Sequence, residues 1–322
     1  MVDPQELLAR ASRPAQDALR LHPFYRGKVA TAAKCPVRSL DDLSIWYSPG
    51  VAAPCSAIQQ QPELVWEHTN RANVIAVVSD CSRVLGLGDI GPAAGLPVME
   101  GKALLFKYLG GVDAVPLVLD TKDADEIIRT VQLIQPGFGG INLEDIAQPR
   151  CFRVLDTLRA DSTVQIPVWH ADQQGTATVL LAGLLSALKV VGKAMSNISL
   201  VMVGFGAANV ATLRLLRASG LSIAQVIGVD SHGILHRDRN AVEQQQPDYP
   251  HKWQLCTECK VGNRRGGIPE PLPAAAAFCS ACLLLSAWIR SSNFLFPSRT
   301  ASAIFAENSL IARIASSLPG MM

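Results

Sequence analysis

The sequence has little net charge, no long apolar run and no apolar leader at its start. Its 322 residues carry 29 Lys and Arg against 27 Asp and Glu, a formal net charge of +2. This balance gives no electrostatic argument for a nucleic-acid or membrane-surface partner. The longest uncharged apolar run, Ala274 to Ile289, has 16 residues, fewer than a bilayer-spanning helix needs. We therefore expect a protein with neither kind of partner.

Disulfide crosslinks are also not expected. The chain has 8 Cys, too few to make a disulfide scaffold at this length, and the opening residues have no secretory signal pattern. Free thiols are typical of a reducing compartment. We therefore predict a cytoplasmic location.

Charge is unevenly distributed along the chain. The first 270 residues contain 26 basic and 26 acidic side chains, whereas residues 271–322 contain three Arg and one Glu. Ala and Ser are frequent in this last segment, which reads as an atypical apolar tail with a helical run over 274–289.

Predicted strands and helices alternate from residue 74 onward. Val74 to Asp80, Ala114 to Asp120, Gly139 to Asp145 and Ile166 to His170 read as strands with helices between them. A long apolar helix follows from Thr176 to a capping Gly192. This alternation predicts an α/β protein built on parallel sheets.

A glycine-rich turn between a strand and a helix indicates a dinucleotide site. Ile198 to Gly204 reads as a buried strand, and the next residues, Phe205 to Asn209, lead into a helix. The candidate contacts of the pyrophosphate are Gly204, Gly206, Ala207, Ala208 and Asn209. Asp230 ends the following strand, where a carboxylate can bind the ribose diol.

Three carboxylates and a lysine are the other chemical candidates. Glu144 and Asp145 end one strand, and Asp172 follows a later one. Together they would suit Mg²⁺ or Mn²⁺, although acids after strands are also common helix caps. Lys102 follows a glycine at a predicted helix start, where the helix dipole opposes its charge.

These segments together resemble the malic enzymes, the decarboxylating malate dehydrogenases. The resemblance covers about residues 15–270 and is carried by motifs that occur in order: YSPGVAAPC from Tyr47, RVLGLGDIGP from Arg83, LPVMEGKALLFK, FGGINLEDIAQPRCF, HADQQGTA and the GFGAAN loop. It implies oxidative decarboxylation of malate to pyruvate and CO₂ with reduction of NAD⁺ or NADP⁺. It also implies a homodimer.

The resemblance assigns roles to residues that look unremarkable in isolation. Lys102 becomes the general base and Tyr47 the general acid, while Arg83 binds a substrate carboxylate. The metal ligands become Glu144, Asp145 and Asp172. The implied architecture is a substrate and metal domain over 1–165 and a doubly wound, Rossmann-type NAD(P)-binding domain over 166–270. That second domain looks incomplete at its C-terminal end.

Several positions depart from the family pattern. Ala171 stands where the family has an aspartate, Cys81 replaces a glycine that favours positive φ, and Asn209 replaces Gly or Ala. The family's Asn-Pro loop has no counterpart, and one explanation is that residues 271–322 result from a reading-frame change. An alternative function follows, namely a catalytically impaired descendant that still binds nucleotides.

Two further questions stay open at this stage. Cys256, Cys259, Cys279 and Cys282 have the spacing of a tetrathiolate zinc site, so the alternative protein could also bind zinc. Asp230 would repel a 2′-phosphate and slightly favours NAD⁺, whereas His232 and Arg237 could accommodate NADP⁺.

Overall fold

The computed structural model describes the backbone of residues 4–258, Gly266 and Ala276–Cys279. It also describes the burial of the side chains of residues 12–258. The chain divides into two compact units. The first contains Met1–Ile146 and Val154–Trp169, and the second contains Ala147–Arg153 and His170–Met322. Each unit has its own sheet, as an α/β fold with two domains requires.

The first unit begins with helices and then forms a sheet. Its first helices are α1 (Pro4–Tyr25), α2 (Leu40–Trp46), α3 (Ala52–Gln60) and α4 (Val65–His68). Next along the chain come β1 (Val74–Ser79), α5 (Gly91–Gly110), β2 (Asp113–Val118), α6 (Ala124–Ile134), β3 (Gly140–Leu143), α7 (Arg150–Ala160) and β4 (Val168–His170). The first four residues of α7 and the last residue of β4 are counted with the second unit. The strand order is β2-β1-β3-β4, and β1 is parallel to β2 and to β3.

Local sequence signals explain most of these boundaries. Asp123 caps α6, because its carboxylate accepts a hydrogen bond from the backbone N–H of Asp125. Glu126 does not complete a capping box, since its carboxylate pairs with the Thr121 hydroxyl instead. Gly111 ends α5 in the left-handed region at φ 68°. The strand of highest burial, β3, is buried along its whole length.

The second unit contains the predicted βαβ arrangement. Its elements are α8 (Thr176–Val191), β5 (Leu200–Val203), α9 (Ala207–Ala218), β6 (Val226–Asp230), β7 (Gly233–Ile234), α10 (Asn240–Gln244), α11 (Pro250–Glu258) and β8 (Ala276–Cys279). The strand order is β7-β6-β5-β8, with β5 parallel to both β6 and β8. This sheet has the parallel core of a Rossmann-type fold.

Two predictions about local structure are wrong. The sequence predicts a helix through 276–279, but these residues form β8, because pairing with β5 satisfies their backbone groups and overrides the Ala-rich helical pattern. The sequence also predicts that a helix starts near Lys102, whereas α5 begins at Gly91 with Pro92 in its first turn. Proline in the first turn is compatible with a helix start.

One helix among the described residues, Ala171–Val191, is apolar and long enough to span a membrane by length and composition. This criterion alone is weak, because core helices pass it too. Within the second unit the helix packs against α9, and Ala177, Leu180, Leu184 and Leu188 are buried.

Cys81 and Gly95 form a close contact in the first unit. Cys81 has φ 51°, the conformation expected for the glycine that it replaces. Its side chain is fully buried, and a Cβ atom added at Gly95 would lie 2.5 Å from the Cys81 Cβ. The absence of a side chain at Gly95 is therefore what makes room for Cys81.

We expect Gly95→Ala to destabilise the protein by about 1–3 kcal/mol through overpacking. In a Cys81→Gly background the same change should be neutral or stabilising by up to about 1 kcal/mol, because alanine favours the helix. Chemical denaturation of the four proteins measures this coupling. Gly101→Ala in the same helix is the control, since nothing lies within 4 Å of its added Cβ. Equal losses in both backgrounds would contradict the contact.

Candidate active site

Buried carboxylates gather at the carboxyl ends of β1 and β3. Glu144 and Asp145 follow β3, and Asp80 follows β1; all three are buried. The backbone N–H of Glu144 donates to the Val78 carbonyl at 3.0 Å, which continues the pairing of the two strands to the acidic residues. Asp80 was not predicted as a site residue, although its position at the end of a strand is the same signal that marks Glu144 and Asp145.

Lys102 forms an ion pair with one of these acids, Glu144. Its Nζ lies 3.0 Å from the Glu144 Oε1, and the other Glu144 oxygen accepts a hydrogen bond of 2.8 Å from the Asn142 amide. The helix-dipole explanation for Lys102 is wrong, because the residue lies in the interior of α5 rather than at its first turn. Its electrostatic partner is instead the carboxylate of Glu144.

The loop after β1 surrounds the same acids. Asp80 Oδ1 accepts hydrogen bonds from the backbone N–H and the hydroxyl of Ser82. Burial raises the pKa of the Cys81 thiol; a hydrogen bond with Ser79 lowers it in part, and the charges of Asp145 and Asp80 raise it further. The thiol is therefore a poor nucleophile at neutral pH.

Arg83 and Tyr47 occupy different surroundings. The backbone N–H of Arg83 donates to the Asp145 carbonyl at 3.0 Å, which fixes the loop against the acids, and its side chain is exposed. Tyr47 ends α2, and 76% of its surface is exposed. The first unit therefore does not enclose the predicted general acid.

Asp172, the third predicted metal ligand, belongs to the second unit. It lies in the π-helical turn Ala171–Gly175, and its Oδ2 is 3.6 Å from Nδ1 of the fully buried His170. The two glutamines after it are both engaged. Gln173 donates to the Cys151 carbonyl at 3.0 Å, and Gln174 accepts from the His170 backbone N–H at 2.7 Å. These bonds fix the turn that carries Asp172.

The glycine-rich turn has the geometry of a phosphate-binding loop. Gly204 has φ 79°, and Gly206 is the N-cap of α9. The first backbone N–H groups of that helix, at Ala207 and Ala208, are half-buried at the end of β5. Helix N-termini of this kind stabilise phosphate anions.

Asn209 fixes the carbonyl groups on the other side of this loop. It is fully buried, and its amide nitrogen donates to the Val203 carbonyl at 3.0 Å and to the Gly204 carbonyl at 2.6 Å. Its Oδ1 is buried with no hydrogen-bond partner. The asparagine therefore connects the end of β5 to the first turn of α9, where Gly or Ala would make no such bond.

Asp230, the predicted ribose ligand, already has two cationic neighbours. Its Oδ1 is 2.8 Å from Arg239 Nη1, and its Oδ2 is 3.7 Å from Lys252 Nζ. Sequence reasoning missed both cations because nothing in their spacing marks them. Of the two it named, His232 lies 4.0 Å from the Asp230 carboxylate, and Arg237 donates to the Thr257 carbonyl.

The zinc hypothesis falls largely outside the described residues. Cys256 is buried on α11, while Cys259, Cys282 and the side chain of Cys279 lie outside them. Cys35, Cys55, Cys81 and Cys151 form no disulfide with one another or with Cys256. The zinc site stays a prediction.

The second unit defines a class of protein. A parallel sheet, a glycine turn with positive φ at the start of α9, and a carboxylate ending the next strand are features of a dinucleotide-binding unit of the Rossmann type. The first unit adds a buried acidic group paired with a lysine. The chain is thus an α/β protein in which a Rossmann-type unit follows a unit of different topology.

Comparison with known proteins gives the family. Residues 26–159 match the malic enzyme N-terminal domain, and residues 173–265 match the malic enzyme NAD binding domain. The malic enzyme structure from Entamoeba histolytica is 39% identical, with a TM-score of 0.79, over 87% of this chain and 58% of that one. An NAD-dependent malic enzyme structure from Thermotoga maritima is also 39% identical, with a TM-score of 0.74, over 81% of this chain and 68% of that one. The chain belongs to the malic enzyme family.

Relatives of both cofactor types match. The NAD-dependent malic enzyme of Geobacillus stearothermophilus is 49% identical over 78% of this chain and 51% of its own length. The NADP-dependent malic enzyme of Escherichia coli is 44% identical over 70% of this chain and 29% of its own length. The chain spans about half the length, or less, of these curated relatives.

The hydrogen bonds of Asn209 lead us to expect that its replacement lowers the stability of the protein. Asn209→Ala should cost about 1–3 kcal/mol, because it leaves two carbonyl groups without their donor. Asn209→Asp should cost about 3–5 kcal/mol at neutral pH, because an ionised carboxylate would face those carbonyls. Burial raises the pKa of the introduced carboxyl above its unfolded value, so its protonated form can donate and this deficit should shrink as the pH falls. Thermal unfolding across pH measures both effects; an aspartate variant as stable as the parent would contradict the hydrogen bonds.

Proposed function

We propose that this protein catalyses the divalent-metal-dependent oxidative decarboxylation of malate to pyruvate and CO₂, with reduction of NAD⁺ or NADP⁺. The observation that carries the proposal is the ion pair of the partly exposed Lys102 with the buried Glu144, with 3.0 Å between Nζ and Oε1. A lysine fixed on a buried carboxylate is suited to moving a proton at a substrate hydroxyl.

The donor set fits a hard divalent cation. Glu144 and Asp145 are carboxylates held at one strand end by a buried strand, and burying such charges is costly without a counter-charge. We propose that Glu144, Asp145 and Asp172 bind Mg²⁺ or Mn²⁺. The bound cation would polarise the C2 oxygen of malate, and the bound nicotinamide would accept the C2 hydride.

The protein's own residues would hold the substrate and move its protons. Lys102 would take the proton of the C2 hydroxyl, and Arg83 would bind a carboxylate of malate. After CO₂ is lost, Tyr47 would protonate C3 of enolpyruvate. Gly204, Gly206, Ala207, Ala208 and Asn209 would form the loop that receives the pyrophosphate.

An absorbance assay of reduced nicotinamide tests the activity. We expect malate-dependent reduction of NAD⁺ or NADP⁺ that requires Mn²⁺ and stops with a chelator. Lys102→Met should lower kcat by about 10²–10⁴-fold, the usual contribution of a general base. Lys107→Met is the matched control, because Lys107 lies on the same helix and pairs with Asp113 instead. Equal losses in both variants would contradict the role of Lys102.

Metal binding provides a separate control. Glu144→Gln should weaken Mn²⁺ binding at least tenfold, whereas Glu63→Gln, at an exposed position of the first unit, should not. A full-length chain that binds a nicotinamide cofactor but produces no reduced cofactor from malate would favour the alternative, a nucleotide-binding descendant without catalysis.

We also propose that two copies of the chain associate. Large apolar side chains are exposed along the segment that carries Tyr47, among them Phe24, Tyr25, Leu40, Ile45 and Trp46. Exposed apolar surface of this kind marks protein interfaces. A second copy covering the segment would also cover the exposed Tyr47. The cytoplasmic location stays a prediction from the sequence.

Analytical ultracentrifugation tests the association. We expect a mass twice the 34.4 kDa of the single chain. Ile45→Glu should convert the protein to monomers, because a charge placed in an apolar interface loses its hydration. Leu133→Glu, at an exposed position on α6, should leave the dimer intact. A monomeric parent protein, or dissociation by both variants alike, would contradict the proposal.

A further inference from the structure

Two cations enclose the carboxylate at the end of β6. Arg239 Nη1 lies 2.8 Å from the Asp230 Oδ1, and Lys252 Nζ lies 3.7 Å from the Asp230 Oδ2. The side chains of Arg239 and Lys252 are 14% and 17% exposed, so both are largely held inside the unit. The Lys252 ammonium also lies 5.0 Å from the centre of the Tyr249 ring, which restricts its position further.

One carboxylate oxygen of Asp230 is hydrogen-bonded within the protein, and the other forms the ion pair with Lys252. Its Oδ1 accepts from Arg239 and, at 2.9 Å, from the backbone N–H of His232. Burial alone would raise the pKa of Asp230, but these hydrogen bonds and the charges of Arg239 and Lys252 hold it below its ordinary value. Asp230 therefore stays ionised, with its charge directed at protein cations.

The local charge is consequently positive. One carboxylate faces one guanidinium and one ammonium group, so the group of Asp230, Arg239 and Lys252 carries one net positive charge. His232 adds an exposed imidazole 4.0 Å from the carboxylate. A free aspartate at this position would repel a 2′-phosphate, but this aspartate is neutralised and its surroundings attract one.

The two cofactors place opposite demands on this position. The 2′-hydroxyl of NAD⁺ requires an acceptor with free capacity, whereas the 2′-phosphate of NADP⁺ requires cationic donors. Arginine and lysine are the usual phosphate partners, and hydrogen bonds to charged groups are the stronger kind. The group at the end of β6 supplies two cationic donors, and its one acceptor, the Asp230 carboxylate, is already paired with both of them.

We propose that the second unit selects NADP⁺ over NAD⁺, with Arg239 and Lys252 as the ligands of the 2′-phosphate. The inference rests on the proposed use of a nicotinamide cofactor and reverses the slight preference for NAD⁺ drawn from Asp230 alone. Asp230 acts as the anion that holds the two cations in place.

Calorimetric titration of the full chain with each cofactor tests the selection without requiring turnover. NADP⁺ should bind at least tenfold tighter than NAD⁺, and the ratio should fall as salt is added, because screening weakens the phosphate contacts. Arg239→Gln and Lys252→Gln should each reduce the NADP⁺ to NAD⁺ affinity ratio about tenfold. The loss should fall on NADP⁺ alone.

Two controls distinguish an effect of the lost positive charge on the affinity ratio from an effect of misfolding. Arg217→Gln removes a surface cation of the same unit, one that contacts Gln254 on α11, and should leave the ratio unchanged. The NAD⁺ affinity of each variant reports on its folding. In the parent protein, adenosine 2′,5′-bisphosphate should bind at least tenfold tighter than adenosine 5′-monophosphate, a comparison that needs no variant.

Equal or tighter binding of NAD⁺ by the parent protein would overturn the inference, and so would variants that lose both cofactors equally. Malate-dependent reduction of NAD⁺ in that case would leave the proposed function standing. Conversely, 2′-phosphate selectivity without malate turnover would support the inference and overturn the proposed function.

Discussion

The ion pair between Lys102 and Glu144 is the interaction on which the proposed chemistry of the first unit depends. A buried carboxylate is costly unless a cation and hydrogen-bond donors satisfy it, and Glu144 has both in Lys102 and Asn142. The pair joins α5 to the end of β3. Lysine and carboxylate are thereby fixed relative to each other, so the proposed proton-transfer group and one of the proposed metal ligands share one position.

The second unit also contains a buried acid that is stabilised by cations, but different cations surround it. Asp230 is buried at the end of β6 and is stabilised by Arg239, Lys252 and a backbone N–H. In both units, an acid lies at the carboxyl edge of a sheet that contains parallel strands, and it forms ion pairs with nearby cationic side chains. The identity of those cations, rather than the acid itself, determines which ligand chemistry each edge supports.

The sequence predicted the strands and the acids better than it predicted the cations. Hydrophobic periodicity and capping residues are local, so β1, β3, α6 and α8 follow from the residues that form them. The partner of Lys102 depends on where α5 starts. The helix begins at Gly91, with a proline in its first turn, about three helical turns before the predicted start. Arg239 and Lys252 meet Asp230 only through the packing of α11 and the loop after β6, which no local pattern records.

Two of the departures from the family pattern are accommodated by specific neighbours. Cys81 keeps the positive φ of the glycine that it replaces, and Gly95 leaves room for its side chain. Asn209 adds two hydrogen bonds to the loop where Gly or Ala would add none, although its Oδ1 is left unpaired. Each substitution thus preserves the backbone path that the site requires. For this reason neither one counts against the proposed function. Ala171 is the described departure that bears most directly on the proposed catalysis, because the family resemblance expects an acid at this position beside Asp172.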